Sequence, residues 1–260
     1  MKLLQDRVTL VTGAGRGIGR AIALAFAAEG AKVALTARTV SELDIAVGEI
    51  HKSGGTALAL PADLTDRIVP RNLVGEVLTK LGPIEILVNN AGIGSSAGPK
   101  PVVDFDDDLW QRTLQLNLTA PYQLTKAVLP SMLAKKWGRI IMIASINGKI
   151  GALHGAAYAA SKHGLLGLMR SLAMEVTSQG IAVNAICPGP VHTVMNDRRV
   201  EYDARRRGVA FDEQAAGLTP LGRRLEPEEI APLAVYLASD AAAGVVGQAI
   251  NIDGGVLMSG

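Results

Sequence analysis

Short apolar runs rich in branched residues alternate along the chain with longer stretches whose apolar positions recur at helical spacing. RVTLV precedes IGRAIALAFAAEG, KVALT precedes SELDIAVGEIHKSG, and TALAL precedes a helix expected from about Asp66 to Leu81. The rhythm continues through IEILV, a long helical region over 104–136, RIIMIAS, a helix containing AYAASKHG, and IAVNAIC, and QAINIDGG closes it. Strands in strict alternation with helices become parallel neighbours joined by crossovers. The pattern therefore predicts a single-domain α/β fold over 1–260, a doubly wound sheet of seven parallel strands with helices on both faces. Ligands of such a sheet sit beyond the carboxyl ends of its strands, where the winding reverses, so chemistry is sought in the loops that follow strands. One segment breaks the rhythm. Residues 193–225 are polar and charged, and are expected to form either a lid or a surface excursion.

Composition sharpens this picture. Of the 260 residues 48% are apolar but only 3% aromatic, so the core has to be built from Val, Ile, Leu and Ala, as suits a parallel sheet between helices. A net charge of +2 gives little support to a nucleic-acid partner. Asp6 and Arg7 interrupt what would have to be the apolar part of an export signal, and no run of 18 apolar residues occurs, so neither export nor a membrane span is expected. The single cysteine, Cys187, lies in IAVNAIC and reads as a buried structural thiol in a reducing, cytoplasmic setting. The histidines at 51, 154, 163 and 192 show no metal-ligand spacing, and no catalytic metal is expected. DFDDD at 104–108 reads as a solvated helix start favoured by the helix dipole.

Four places carry candidate chemistry. TGAGRGIG at 12–19 follows the first strand and opens the first helix. Its glycines let the chain turn tightly and let backbone amides approach a pyrophosphate, with the T-G-x-x-x-G-x-G spacing rather than G-x-G-x-x-G. At the end of the second strand Ala37 stands where an acid would bind ribose hydroxyls. Arg38 and Arg16 favour a 2′-phosphate, hence NADP(H) over NAD(H), unless both are merely solvated arginines. Asp63 is either a contact for the adenine amino group or the cap of the next helix, since Thr65 and Asp66 follow. Tyr158 and Lys162, four apart on one helix face, form either an acid/base pair, in which the cation lowers the phenol pKa, or a core tyrosine beside a snorkelling lysine.

From the first strand to the terminal INIDGG the chain resembles the short-chain dehydrogenase/reductases. The resemblance rests on TGAGRGIG, Asp63-Leu64, NNAG at 89–92, Asn117, Ser145, Tyr158 with Lys162, and Pro188-Gly189-x-Val191-x-Thr193. It implies a Rossmann-type fold and an NADP(H)-dependent oxidoreductase moving hydride between nicotinamide and a carbonyl or secondary alcohol. Tyr158 would be the acid/base, Lys162 would tune it and hold the nicotinamide ribose, Ser145 would bind the carbonyl oxygen, and Asn117 would anchor a water. Gly13, Gly15, Arg16, Gly17, Ile18, Gly19, Arg38, Asp63, Leu64, Asn90, Ala91, Gly92, Val191 and Thr193 would contact the cofactor, with Val191 and Thr193 at the carboxamide. The resemblance is strongest to the 3-oxoacyl-carrier-protein reductases, so a 3-oxoacyl thioester is one expected substrate. Free ketones, sugars or cyclic diketones are the alternative, and a non-catalytic dinucleotide sensor is the reading from another class. A homotetramer is also implied, paired through the 104–136 helices and the AYAASKHG helix. Two features stay open: His154 is a substrate contact or a surface residue, and the arginines at 198, 199 and 205–207 are a lid for anionic substrates or a self-neutralised surface.

Overall fold

In the computed structural model, which describes residues 2–258, the apolar runs become β1 (Val8–Thr12), β2 (Lys32–Thr36), β3 (Thr56–Ala59), β4 (Ile86–Asn89), β5 (Gly138–Ile143), β6 (Ile181–Pro188) and β7 (Ala249–Ile252). All pair in parallel in the order β3-β2-β1-β4-β5-β6-β7. The helices are α1 (Gly17–Ala28), α2 (Val40–Lys52), α3 (Val69–Lys80), α4 (Asp107–Leu114), α5 (Ala120–Lys135), α6 (Ala156–Val176), α7 (Val194–Arg207), α8 (Phe211–Ala216) and α9 (Pro227–Ala238). The expected doubly wound architecture is the observed one.

Each strand sends alternate side chains to opposite layers, because successive Cβ atoms point to opposite faces. Val11, Val88 and Ile141 join Ile22, Phe26 and Leu43 beneath α1, α2 and α9, whereas Leu10, Leu87 and Ile140 join Leu124, Leu165 and Met169 beneath α3, α5 and α6. Winding reverses between β1 and β4, and the crevice beyond their carboxyl ends is where the conserved geometry of such sheets places a ligand.

Two element boundaries differ from expectation, each for a local reason. The helix expected from Asp66 begins at Val69, because Asp63 accepts from Thr65 N (3.0 Å) and Asp66 from Ile68 N (3.0 Å), and these two turns precede Pro70 in the first helical turn. The region 104–136 is not one helix. Asp106 caps α4 by accepting from Leu109 N at 2.8 Å, and a π-helical stretch, Gln115–Thr119, separates α4 from α5. Among the described residues, no helix is long and apolar enough to cross a membrane.

Candidate active site

Thr12, the last residue of β1, stitches the first and fourth strands together. Its Oγ1 donates to Val88 O (3.3 Å) and accepts from Asn90 N (2.9 Å) and Ala91 N (3.0 Å), while Asn90 Nδ2 donates to Thr12 O (2.8 Å) and Gly13 O (3.1 Å). This is why glycine is required here. A Cβ on Gly19 would lie 2.3 Å from Asn90 Nδ2 and from Gly13 O, and Gly13 itself has φ +64. α1 then starts with neither a side-chain cap nor an acid in its first turn, unlike α4 and α9, so its leading N–H groups remain available to an anion.

Beyond this loop opens a cavity of about 760 Å³ bordered by Gly15, Arg16, Gly17, Arg38, Asp63 and Leu64 among others. Arg16 pairs with Glu42 at 3.3 Å, a neighbour the sequence did not single out, and Arg38 is exposed. Asp63 does not cap α3. Burial works against its carboxylate, but hydrogen bonds from Thr65 and the nearby Arg38 outweigh that and hold the carboxyl below its usual value. Thr36 Oγ1, on the same wall, is buried without a partner. A glycine cradle, an uncapped helix start, two cations and an orphaned hydroxyl fit the phosphates and ribose of a dinucleotide.

A second cavity of about 370 Å³ shares Ile18, Asn90, Gly92 and Thr193 with the first, and brings together Ser145, Tyr158 and Lys162. Ser145 lies two residues past β5, with its Oγ fixed by Asn147 N at 3.1 Å. Tyr158 and Lys162 lie a turn apart on α6, with Lys162 Nζ 5.8 Å from the centre of the tyrosine ring. That ammonium is buried, donates to Ile143 O at 2.7 Å, and is lowered by burial to about 8. The expected lowering of the phenol is not found. Burial pushes Tyr158 above its usual value against an opposing hydrogen bond from Ser145, so the phenol keeps its proton at neutral pH.

Asn117 falls in the π-helical stretch, where Oδ1 accepts from Ile93 N (2.8 Å), and Nδ2 donates to Ile93 O (2.9 Å) and Ser161 Oγ (3.0 Å). Its side chain therefore ties the loop after β4 to α6. Val191 bridges to Leu225 and borders the smaller cavity, and Thr193 caps α7 by accepting from Asn196 N at 3.2 Å and lies at the junction of the two cavities.

The 193–225 segment supplies α7 and α8, and α7 borders the smaller cavity through Met195, Asn196, Arg199 and Asp203. Arg205 to Arg207 do not face the cavity: Arg205 lies 4.0 Å from Glu201, Arg206 3.5 Å from Asp203, and Arg207 donates to Gln214 at 2.9 Å. His154 is neither a lining residue nor a free surface group. Its Nδ1 shares a 2.6 Å hydrogen bond with Tyr202 and fastens the preceding loop to α7. Sequence reasoning missed Thr36, Glu42 and the special place of Arg199, because all three depend on neighbours distant in the chain. Cys187 is buried, which pushes its thiol up, and among the described residues no three His, Cys, Asp or Glu side chains gather as metal ligands.

Comparison with known proteins agrees with this geometry. Residues 13–257 match the model of a family described as enoyl-(acyl carrier protein) reductase. The chain is 39% identical over 260 residues to a 3-oxoacyl-[acyl-carrier-protein] reductase of Synechocystis, covering 99% of this chain and 100% of that one. It is 36% identical over 259 residues to a D-beta-hydroxybutyrate dehydrogenase of Cupriavidus necator, covering 97% and 98%. A crystal structure of a variant actinorhodin polyketide ketoreductase with NADPH superposes with a TM-score of 0.91 at 37% identity, covering 96% and 97%. With its glycine loop, its Ser145, Tyr158 and Lys162 in one cavity, and these relatives along its whole length, the chain belongs to the short-chain dehydrogenase/reductase family of oxidoreductases.

Proposed function

We propose that the protein is an NADP(H)-dependent reductase of a carbonyl group, running reversibly toward the secondary alcohol. The observation that carries this reading is the meeting of Ser145, Tyr158 and Lys162 in a cavity continuous with the glycine-loop cleft. NADP(H) is favoured over NAD(H) by Arg16 and Arg38 at the adenosine end, where no acid follows β2. The nicotinamide supplies the hydride. Tyr158, held protonated by burial, gives its proton to the carbonyl oxygen as charge grows there, and accepts one in the reverse direction. Ser145 Oγ donates a hydrogen bond to the same oxygen and stabilises that charge. Lys162 presents an ammonium beside the tyrosine below about pH 8, and it is the group that would hold the ribose hydroxyls. Asn117 acts by holding Ile93 and Ser161 in place.

Two groups of substrate are compatible with this chemistry. The relatives include one named for carrier-linked 3-oxoacyl groups and one named for a free hydroxy acid, so a 3-oxoacyl thioester and a free ketone are the two arms of the test. A cytoplasmic homotetramer belongs to the same proposal. The assembly is supported by the exposed stripe of α6 that includes Ala160 and Gly167, where a Cβ added at Gly167 would meet nothing within 4 Å. Sedimentation that gives a monomer would remove that part.

The deciding experiment follows NADPH absorbance with an acetoacetyl thioester beside a panel of free ketones, with NADH as control. Turnover with NADPH supports the reading. Tight NADPH binding with no turnover of any carbonyl would overturn it in favour of a dinucleotide sensor.

A further inference from the structure

Among the described residues, no cation that a substrate can reach borders the smaller cavity on its α7 side. Four ionisable side chains line this cavity, and two of them, Tyr158 and Lys162, belong to the reacting end, where Lys162 Nζ is buried against Ile143 O at 2.7 Å. The other two, Arg199 and Asp203, stand on α7 and satisfy one another. Arg199 Nε donates to Asp203 Oδ2 (2.6 Å), and Nη2 donates to Asp203 Oδ1 (3.1 Å) and Leu153 O (3.0 Å). The remaining nitrogen, Nη1, is buried. The two charges cancel, and no guanidinium N–H is left to meet a ligand.

What this side offers instead is apolar. Leu153 and Met195 are large apolar side chains left 55% and 43% exposed, and both border the cavity, as does Leu218 just past α8. The first two are held in place before any substrate arrives. Leu153 O takes the Arg199 hydrogen bond, and the next residue, His154, is fastened to Tyr202. Met195 O accepts from Ser96 Oγ at 2.9 Å, and the Met195 side chain lies on the bare backbone of Gly94, where a Cβ would come within 2.5 Å of its Cγ and Sδ. Apolar side chains exposed on a cavity rim are stabilised when an apolar ligand covers them, whereas a carboxylate brought there would lose its water with no counter-charge in return.

We infer that Leu153 and Met195 are specificity-determining residues that receive an uncharged aliphatic chain flanking the substrate ketone, so that the site selects against free keto acids. The inference rests on the carbonyl-reductase reading above and narrows its substrate. Ketones, esters and thioesters with an apolar chain fit this rim, and the free hydroxy acid for which one relative is named does not. A cavity of about 370 Å³ is in the range that encloses a small molecule, with its ketone at Tyr158 and its chain toward α7.

5-Oxohexanoate and its methyl ester test the charge, because three methylenes insulate the shared ketone from the group that differs. The wild-type protein is expected to reduce the ester with a kcat/KM roughly 30-fold or more above that of the acid. Across the series from butan-2-one to octan-2-one, kcat/KM should rise about three- to fivefold per methylene. In Leu153→Ser/Met195→Ser that rise should fall below about twofold per methylene, whereas Arg205→Gln, on the outer side of α7, should keep it. Met195→Lys, which sets a reachable ammonium on the rim, should cut the preference for ester over acid by about tenfold. If the double variant unfolds, Leu153→Ser and Met195→Ser carry the same measurement singly. An acid reduced as well as its ester by wild type, or a chain-length series unchanged in the serine variants, overturns the assignment while leaving ketone reduction intact. Failure of wild type to reduce any ketone overturns the underlying reading instead. Thermal stabilisation of the NADP⁺-bound protein then decides the rim separately: stabilisation by hexan-2-ol and not by hexanoate supports it, and the reverse overturns it.

Discussion

The two walls of the smaller cavity are built by different physics. On one side stand the ends of β4, β5 and β6 and the start of α6. Every residue of β4, β5 and β6 is buried, and the strand ends are stitched by hydrogen bonds between the main chain and the side chains of Thr12, Asn90 and Asn117. On the other side stands α7, of which only Val200, Asp203 and Ala204 are buried, and which is fastened by polar side chains: Arg199 to Leu153 O, His154 to Tyr202, and Arg224 to Asn196 and Asp197. The groups proposed to move protons are held by the wall that cannot shift without disturbing the core. Groups that face the variable end of a substrate are held by contacts that single substitutions can rewrite.

Tyr158→Phe breaks the rigid wall's chemistry without altering its packing and gives the largest expected effect. Removing the positioned acid should lower kcat by about 10²- to 10⁴-fold with NADPH affinity unchanged. Wild-type turnover in this variant would end the acid/base assignment.

Next comes the buried amine. Below about pH 8 Lys162 is charged in both folded and unfolded chains. Between about 8 and its ordinary 10.5, the folded chain has shed a proton that the unfolded chain keeps, so stability rises with pH across that window. Urea denaturation of wild type and Lys162→Met should therefore show their difference moving toward wild type by on the order of 3 kcal/mol across that window. A difference that stays flat with pH would mean that the amine reaches solvent.

Glycines sharpen the same contrast at smaller scale. Gly19→Ala drives a methyl into Asn90 Nδ2 and Gly13 O, and should cost roughly 1–3 kcal/mol and weaken NADPH binding. Gly75→Ala, on the open face of α3 with nothing within 4 Å, should instead raise thermal stability by about 0.5–1 kcal/mol. The smallest change is expected on the other wall. Tyr202→Phe removes the His154 hydrogen bond and should cost about 1 kcal/mol or less, read as a shift in KM with kcat preserved.

The strand and helix rhythm was legible because burial on both faces leaves long apolar runs in β1, β4, β5 and β6 that no loop composition mimics. The glycine loop and the Tyr158 and Lys162 pair were legible because both depend on residues close in the chain. The start of α3 and the break before α5 were not, since two Asx turns and a π-helical stretch compete with helical periodicity rather than interrupt it.

The sequence by itself thus determined the architecture, and it placed the glycine loop and the proposed acid/base pair Tyr158 and Lys162, all carried by local spacing. Tertiary structure alone decided three things. It raised the pKa of Tyr158, because burial outweighs the hydrogen bond from Ser145. It gave the side chains of Asn117 and His154 partners in other elements, so that both fasten loops beside the cavity. And it separated Arg199 from the other arginines of its helix, because only the packing of α7 against the 151–154 loop encloses one guanidinium nitrogen beside the cavity with nothing to accept its protons.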